Sequence, residues 1–234
     1  MKKKTKKIRK DIFTDIKKVL KDDTSFGIKE AYNLVRAKLL FTTKGEDCPV
    51  YVVTSTLSEE GKSVNAANIA ISFAMAGKKT LIIDADLRNP TLHKYLKRPV
   101  SPGLSEVLAR IQKKINVVGT EQKNLFFLSA GEIPPNPAEI LGSPVFGDTI
   151  SQLTESFDYI FIDMPPIGII SDAAVIKDYV TGYILVVRAM KMNYAEVERT
   201  VDKMRSFNIN LTGFLLNDVD KSEQKYSEYE YYKQ

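Results

Sequence analysis

Beyond residue 24 the chain alternates two hydrophobic rhythms: short runs of β-branched and aromatic residues, and longer stretches in which apolar positions return every three or four residues. The short runs VYVVT, TLIID, LFFLS, YIFID, GYILVV and TGFLLN are nearly continuous in apolar character, the pattern of strands buried on both faces. They predict strands at 50–54, 80–84, 125–129, 159–163, 182–187 and 212–217. Helical periodicity predicts helices at 28–41, 62–76, 90–97, 103–112, 137–156, 171–179 and 193–207, with Gly77 capping the second and Asn193 opening the last. Strand and helix in strict alternation specify an α/β fold, a doubly wound and mostly parallel sheet covered by helices on both faces. Ligands of such sheets collect beyond the carboxyl ends of the strands, where loop amides and helix N-termini converge.

The two ends follow neither rhythm. Residues 1–10, MKKKTKKIRK, carry six Lys and one Arg, so the other 224 residues hold 34 − 7 = 27 basic side chains against 29 acidic ones. The formal charge of +5 therefore belongs to the terminus, and a body this near neutral excludes a basic face for nucleic acid. Ile12, Phe13, Ile16, Val19 and Leu20 then recur at helical spacing with Lys17, Lys18 and Lys21 off the stripe. That segment suits either an anionic membrane surface or partner, or a helix packed on the body. After Asp220 the sequence KSEQKYSEYEYYKQ has no aliphatic residue and is expected to be a mobile tail. The reading is thus a basic segment at 1–24, one domain at 25–220 and a Tyr-rich tail at 221–234. No uncharged run approaches the ~18 residues of a membrane span, so a cytoplasmic protein is expected. With Cys48 and His93 the sole residues of their kinds, neither an internal disulfide nor a Cys/His metal framework is available.

The chemistry-bearing residues fall after the predicted strands. PVYVVTST runs into LSEEGKSVNAANIAISFAMAG, a strand, turn and Ala-rich helix with Gly61-Lys62-Ser63 at the turn. This is the functional end of a P-loop: loop amides cup phosphate oxygens, Lys62 reaches the β and γ phosphates, and the Ser63 hydroxyl ligates magnesium. The full pattern G-x-x-x-x-G-K-[ST] fails because position 56 is Thr, but the strand and helix on either side support the assignment. Glu60, Gly61, Lys62, Ser63 and Val64 form the candidate nucleotide-contacting stretch. LIIDADLR places Asp84 and Asp86 two residues apart at one strand tip with Arg88 beyond, and IFIDMPP places Asp163 at another. Magnesium takes few protein ligands, all oxygen, so a hydroxyl with these carboxylates is a suitable set.

A deviant Walker A (TSTLSEEGKS), a Walker A-prime (LIIDADLR) and a Walker B (IFIDMPP) together resemble the bacterial tyrosine kinases of capsule and exopolysaccharide loci, whose P-loop fold is MinD/ParA-like. The resemblance extends over EAYNLVRAKLLF (30–41), PGLSEVL (102–108), PPNPAEILGSPVF (134–146), SDAAVI (171–176), YILVVR (183–188), GFLLND (213–218) and the Tyr-rich end. It implies an ATP- and magnesium-dependent kinase in which Lys62 binds phosphate, Ser63, Asp84, Asp86 and Asp163 organise the metal, and an A-prime Asp helps take the tyrosine proton. It further implies a role for Arg88 on the transferred phosphoryl, to be weighed against a simple ion pair, and for Asn217 at the adenine. The phosphoacceptors would be Tyr226, Tyr229, Tyr231 and Tyr232. The implied partners are a membrane-embedded activator or polysaccharide co-polymerase acting through its cytoplasmic tail, further copies of the chain in a ring, and a protein-tyrosine phosphatase. The protein would then sit peripherally on the inner face of the membrane.

Three features depart from that family's pattern. Ser58 and Glu59 stand where Pro and Gly usually precede Glu-Gly-Lys-Ser, so a carboxylate is expected to crowd the phosphates and a left-handed backbone, if needed at 59, would be strained. Glu30, Asn33 and Arg36 occupy a self-association motif that usually reads Glu-x-x-Arg-x-x-Arg, removing one charged contact, though all three are expected on one helix face. Val64 replaces a second hydroxyl residue. The competing reading of a MinD/ParA-like switch ATPase requires an additional lysine early in the loop, where this chain has Leu57. A non-catalytic adaptor retaining fold and tail is the third.

Overall fold

The computed structural model describes residues 17–43 and 45–219. Seven strands form one sheet: β1 (Val50–Ser55), β2 (Thr80–Asp84), β3 (Val118–Gly119), β4 (Leu125–Leu128), β5 (Tyr159–Asp163), β6 (Gly182–Arg188) and β7 (Leu211–Asn217). Their spatial order is β3-β4-β2-β5-β1-β6-β7, parallel except for the short β3, which pairs antiparallel with β4. The helices are α1 (Phe26–Thr42), α2 (Lys62–Met75), α3 (Leu92–Tyr95), α4 (Leu104–Leu108), α5 (Pro137–Leu141), α6 (Pro144–Thr154) and α7 (Tyr194–Ser206), with 3₁₀ turns at Asp172–Tyr179 and Ala189–Lys191.

Alternation along each strand divides the interior into two layers. Tyr51, Val53, Ile82, Phe127, Phe161, Ile184 and Val186 face α2, whose small residues Ala66, Ala67, Ala70 and Ala74 let it lie close to the sheet. Val50, Val52, Leu81, Ile83, Ile160, Ile162 and Leu185 face the other way, onto Leu104, Phe146, Ile150, Leu153 and Met204. Every residue of α2 from Ser63 to Ala74 is buried, so the helix that follows the phosphate loop is held along most of its length.

The six predicted strands are present, and β3 is an addition too short to leave a hydrophobic rhythm. The predicted helix 137–156 is two helices, because Pro144 holds Ser143 in extended backbone (ψ 151) and restarts the helix as its first residue. The predicted 171–179 helix is a 3₁₀ element, and those at 90–97 and 103–112 shrink to α3 and α4. Of the N-terminal stripe, Ile12, Phe13 and Ile16 lie outside the described residues. Val19 and Leu20 are buried in a turn, not a helix, that Asn68 of α2 fastens: its Oδ1 accepts from Leu20 N at 2.8 Å and its Nδ2 donates to the Lys18 carbonyl at 3.0 Å. Val19 and Leu20 thus pack on the body without the expected helix.

Candidate active site

The phosphate loop joins the end of β1 to the start of α2. Gly61 caps α2 with φ +87, and Glu59 is also left-handed at φ +65. Gly61 is required twice over, since a Cβ there would stand 2.2 Å from Asn217 Nδ2. That amide donates to the Glu60 carbonyl at 2.8 Å, so Asn217, a candidate adenine contact, is applied to the loop itself. The Glu60 side chain turns inward: Oε2 accepts from Leu57 N at 2.7 Å and Oε1 from Arg188 N at 3.5 Å. Glu59 is exposed, so the expected crowding carboxylate points to solvent, while the expected backbone strain is present.

Two strand tips bring three acids to this loop. Asp84 and Asp163 are in register on the adjacent strands β2 and β5, and both are completely buried. Lys62 Nζ lies 2.8 Å from Asp86 Oδ2, 3.3 Å from Asp163 Oδ1 and 3.2 Å from Ser63 Oγ. Burial alone would lower the Lys62 pKa, but the charges of Asp163, Asp86 and Asp84 reverse this and leave it raised. Burial, opposed by Lys62, pushes Asp163 up to about 6. Burial and the Asp163 charge likewise hold Asp84 well above the ordinary carboxylate range. Asp84 Oδ2 accepts from Thr91 N and Leu92 N at 3.1 and 3.0 Å, which seats α3 on the site. Thr54 clamps β1 to the loop after β5, donating to the Pro165 carbonyl at 2.7 Å and accepting from Ile167 N at 3.0 Å.

Two carboxylate oxygens, Asp84 Oδ1 and Asp163 Oδ2, are buried without a hydrogen-bond partner. Acceptor-only atoms in that condition suit a hard cation. Among the described residues no three His, Cys, Asp or Glu side chains form a ready-made metal cage. The two unpartnered oxygens would suit magnesium, which takes a few protein oxygens and completes its shell from phosphate and water, with Ser63, Asp84 and Asp163 as the donors nearest that description.

Other candidates are placed differently. The Arg88 guanidinium forms a two-pronged ion pair with the buried Asp172 at 2.6 and 3.0 Å, so the ion-pair account describes it. Val64 is buried. Asn33 donates to Glu30 at 2.7 Å, but Arg36 does not share their outer face: its Nη1 reaches the Ser72 carbonyl and hydroxyl on α2, each at 2.7 Å. Each three-residue step drifts about 60° round a helix, which carries Arg36 about 120° from Glu30. Tyr226, Tyr229, Tyr231 and Tyr232 lie outside the described residues. Sequence reasoning missed the Thr54 clamp and the inward turn of Glu60, neither of which has a motif of its own.

The family model for ParA, described as an NUBPL iron-transfer P-loop NTPase, matches residues 49–231. The putative tyrosine-protein kinase CapB of Staphylococcus aureus is 35% identical over 205 residues, covering 86% of this chain and 90% of that protein. Tyrosine-protein kinase YwqD of Bacillus subtilis (strain 168) is 33% identical over 204 residues, 87% of this chain and 85% of that one. The chain belongs to the bacterial tyrosine-protein kinases, within the ParA-like P-loop NTPases. The kinase domain of the Escherichia coli tyrosine kinase ETK superposes with a TM-score of 0.79 at 28% identity, covering 83% of this chain and 76% of that one. Membership of a P-loop NTPase family implies that the chain binds nucleotide. The iron-transfer description does not extend to the chemistry here: Cys48 stands before β1, at the end of the strand away from the loop.

Proposed function

We propose that this tyrosine kinase transfers the γ-phosphoryl group of ATP to tyrosines of its own C-terminal cluster, Tyr226, Tyr229, Tyr231 and Tyr232, largely on a neighbouring copy. The observation that carries the reading is the seating of Lys62 against Asp86 and Asp163 at the tips of adjacent parallel strands, beside two unpartnered carboxylate oxygens. Lys62 and the amides around Gly61 hold and orient the β and γ phosphates. Magnesium, when bound, neutralises charge on those phosphates. Tyrosine ionises near pH ~10, so attack at neutral pH needs a proton acceptor; Asp84 and Asp86 are our candidates for it.

The motif resemblance to the tyrosine kinases of capsule and exopolysaccharide loci supports a role in capsular or exopolysaccharide biosynthesis and export, with a membrane-embedded activator as partner, a ring of copies before phosphorylation and a tyrosine phosphatase to reset it. No helix among the described residues is long and apolar enough to cross a membrane, in keeping with attachment to the inner membrane face through that partner. Incubation with labelled ATP and magnesium, with and without the activator tail, tests the reading. Label on tyrosine is expected in the wild type and lost in Lys62→Met and in a variant with all four tail tyrosines changed to Phe. ATP hydrolysis without tyrosine label would instead identify a switch ATPase, and neither activity an adaptor.

A further inference from the structure

Glu60 ties the phosphate loop to its surroundings. Its carboxylate is acceptor-only, it is 8% exposed, and each of its oxygens takes a backbone N–H: Leu57 at the start of the loop and Arg188 at the tip of β6. Its carbonyl takes the Asn217 amide at the tip of β7. One residue thus joins the loop to itself and to two neighbouring strand ends. The residue before it is the strained one, Glu59 at φ +65, where a side chain disfavours the left-handed backbone and other loop shapes compete. A carboxylate this close to phosphates would ordinarily oppose their binding, but both oxygens are turned to N–H groups within the protein.

We propose that Glu60 is the positioning residue of the phosphate loop: its side chain holds the strained turn in the one shape that aims the amides of 59–63 at the outer phosphates, without itself touching the nucleotide. This rests on the nucleotide-binding reading of the loop and assigns the reason a Gly-poor loop retains it. On that assignment the contribution of Glu60 falls on the β and γ phosphates, which AMP lacks.

The test compares ATP and AMP affinities, with magnesium, of the full-length wild type, Glu60→Ala and Glu60→Gln by calorimetry. In Glu60→Ala, ATP affinity is expected to fall tenfold or more while AMP affinity changes less than about threefold. Glu60→Gln keeps one strong acceptor and is expected to fall between Glu60→Ala and wild type. A residue that merely supports the fold would weaken both nucleotides by one factor; that result, an unchanged ATP affinity in Glu60→Ala, or a Gln variant no better than Ala, would overturn the proposal. Should Glu60→Ala not fold, the ATP-to-AMP ratio is read on Glu60→Gln, where a threefold or greater loss confined to ATP is expected and an unchanged ratio is fatal. Failure of the wild type to bind ATP would sink the kinase reading instead.

Discussion

Lys62 meets two carboxylates, and its ammonium balances part of the charge that Asp84, Asp86 and Asp163 collect in a buried place. A divalent cation arriving at the same acids would be repelled by that ammonium and would share Asp163 and Ser63 with it. Lys62→Met is therefore expected to bind Mn²⁺ at least tenfold more tightly than the wild type in the absence of nucleotide, although it loses phosphoryl transfer. Electron paramagnetic resonance of free Mn²⁺ reads this directly, and equal affinities would show that the lysine contributes nothing to the charge balance. The sequence made these four residues legible because strand-tip acids beside a GKS turn are a local pattern. It posed the question of backbone strain at Glu59 as well, and the φ of +65 answers it. What Glu60 and Thr54 do was illegible, because their partners at Arg188 and Pro165 are more than 100 residues away and have no spacing rule to reveal them.

At the scale of elements, hydrophobic rhythm placed the strands well and the short helices poorly. Strands β1, β2, β5 and β6 are buried on both faces, so their composition has little freedom, whereas α3 and α4 are one-turn helices whose ends are set by tertiary hydrogen bonds, such as Leu92 N to Asp84. The split at Pro144 was readable from the residue itself and was overridden by a periodicity that runs through it. On α1, spacing by threes put Glu30, Asn33 and Arg36 on one face, and the drift of the helix turned the last of them inward to Ser72. Arg36→Ala is accordingly expected to destabilise the isolated chain by about 1 kcal/mol, by loss of a charge-assisted pair of bonds at a half-buried site, while Glu30→Ala leaves stability within about 0.5 kcal/mol. Urea denaturation midpoints separate the two. An unchanged midpoint for Arg36→Ala would return that residue to a role between copies.

For the whole molecule, alternation of strand and helix was enough to specify the doubly wound sheet, and the order of its strands was beyond it. Nothing local declares that β5 lies between β1 and β2. The N-terminal arm is part of the body from Val19 onward, with Leu20 5% exposed and fastened to Asn68, so Leu20→Ala is expected to lower the unfolding free energy by about 2–3 kcal/mol. A loss below about 0.5 kcal/mol in chemical denaturation would mean the arm is only loosely laid on α2.

The interposition of β5 also bears on how the chain is made. β1 acquires one of its two neighbours only when residues 159–163 exist, some 110 positions after the strand itself. A ribosome must therefore deliver about two-thirds of the polypeptide before Asp163 can face Lys62, and the apolar first strand waits through that interval without its permanent cover. The phosphate-binding turn is short in sequence, yet no short fragment containing it has the means to assemble it.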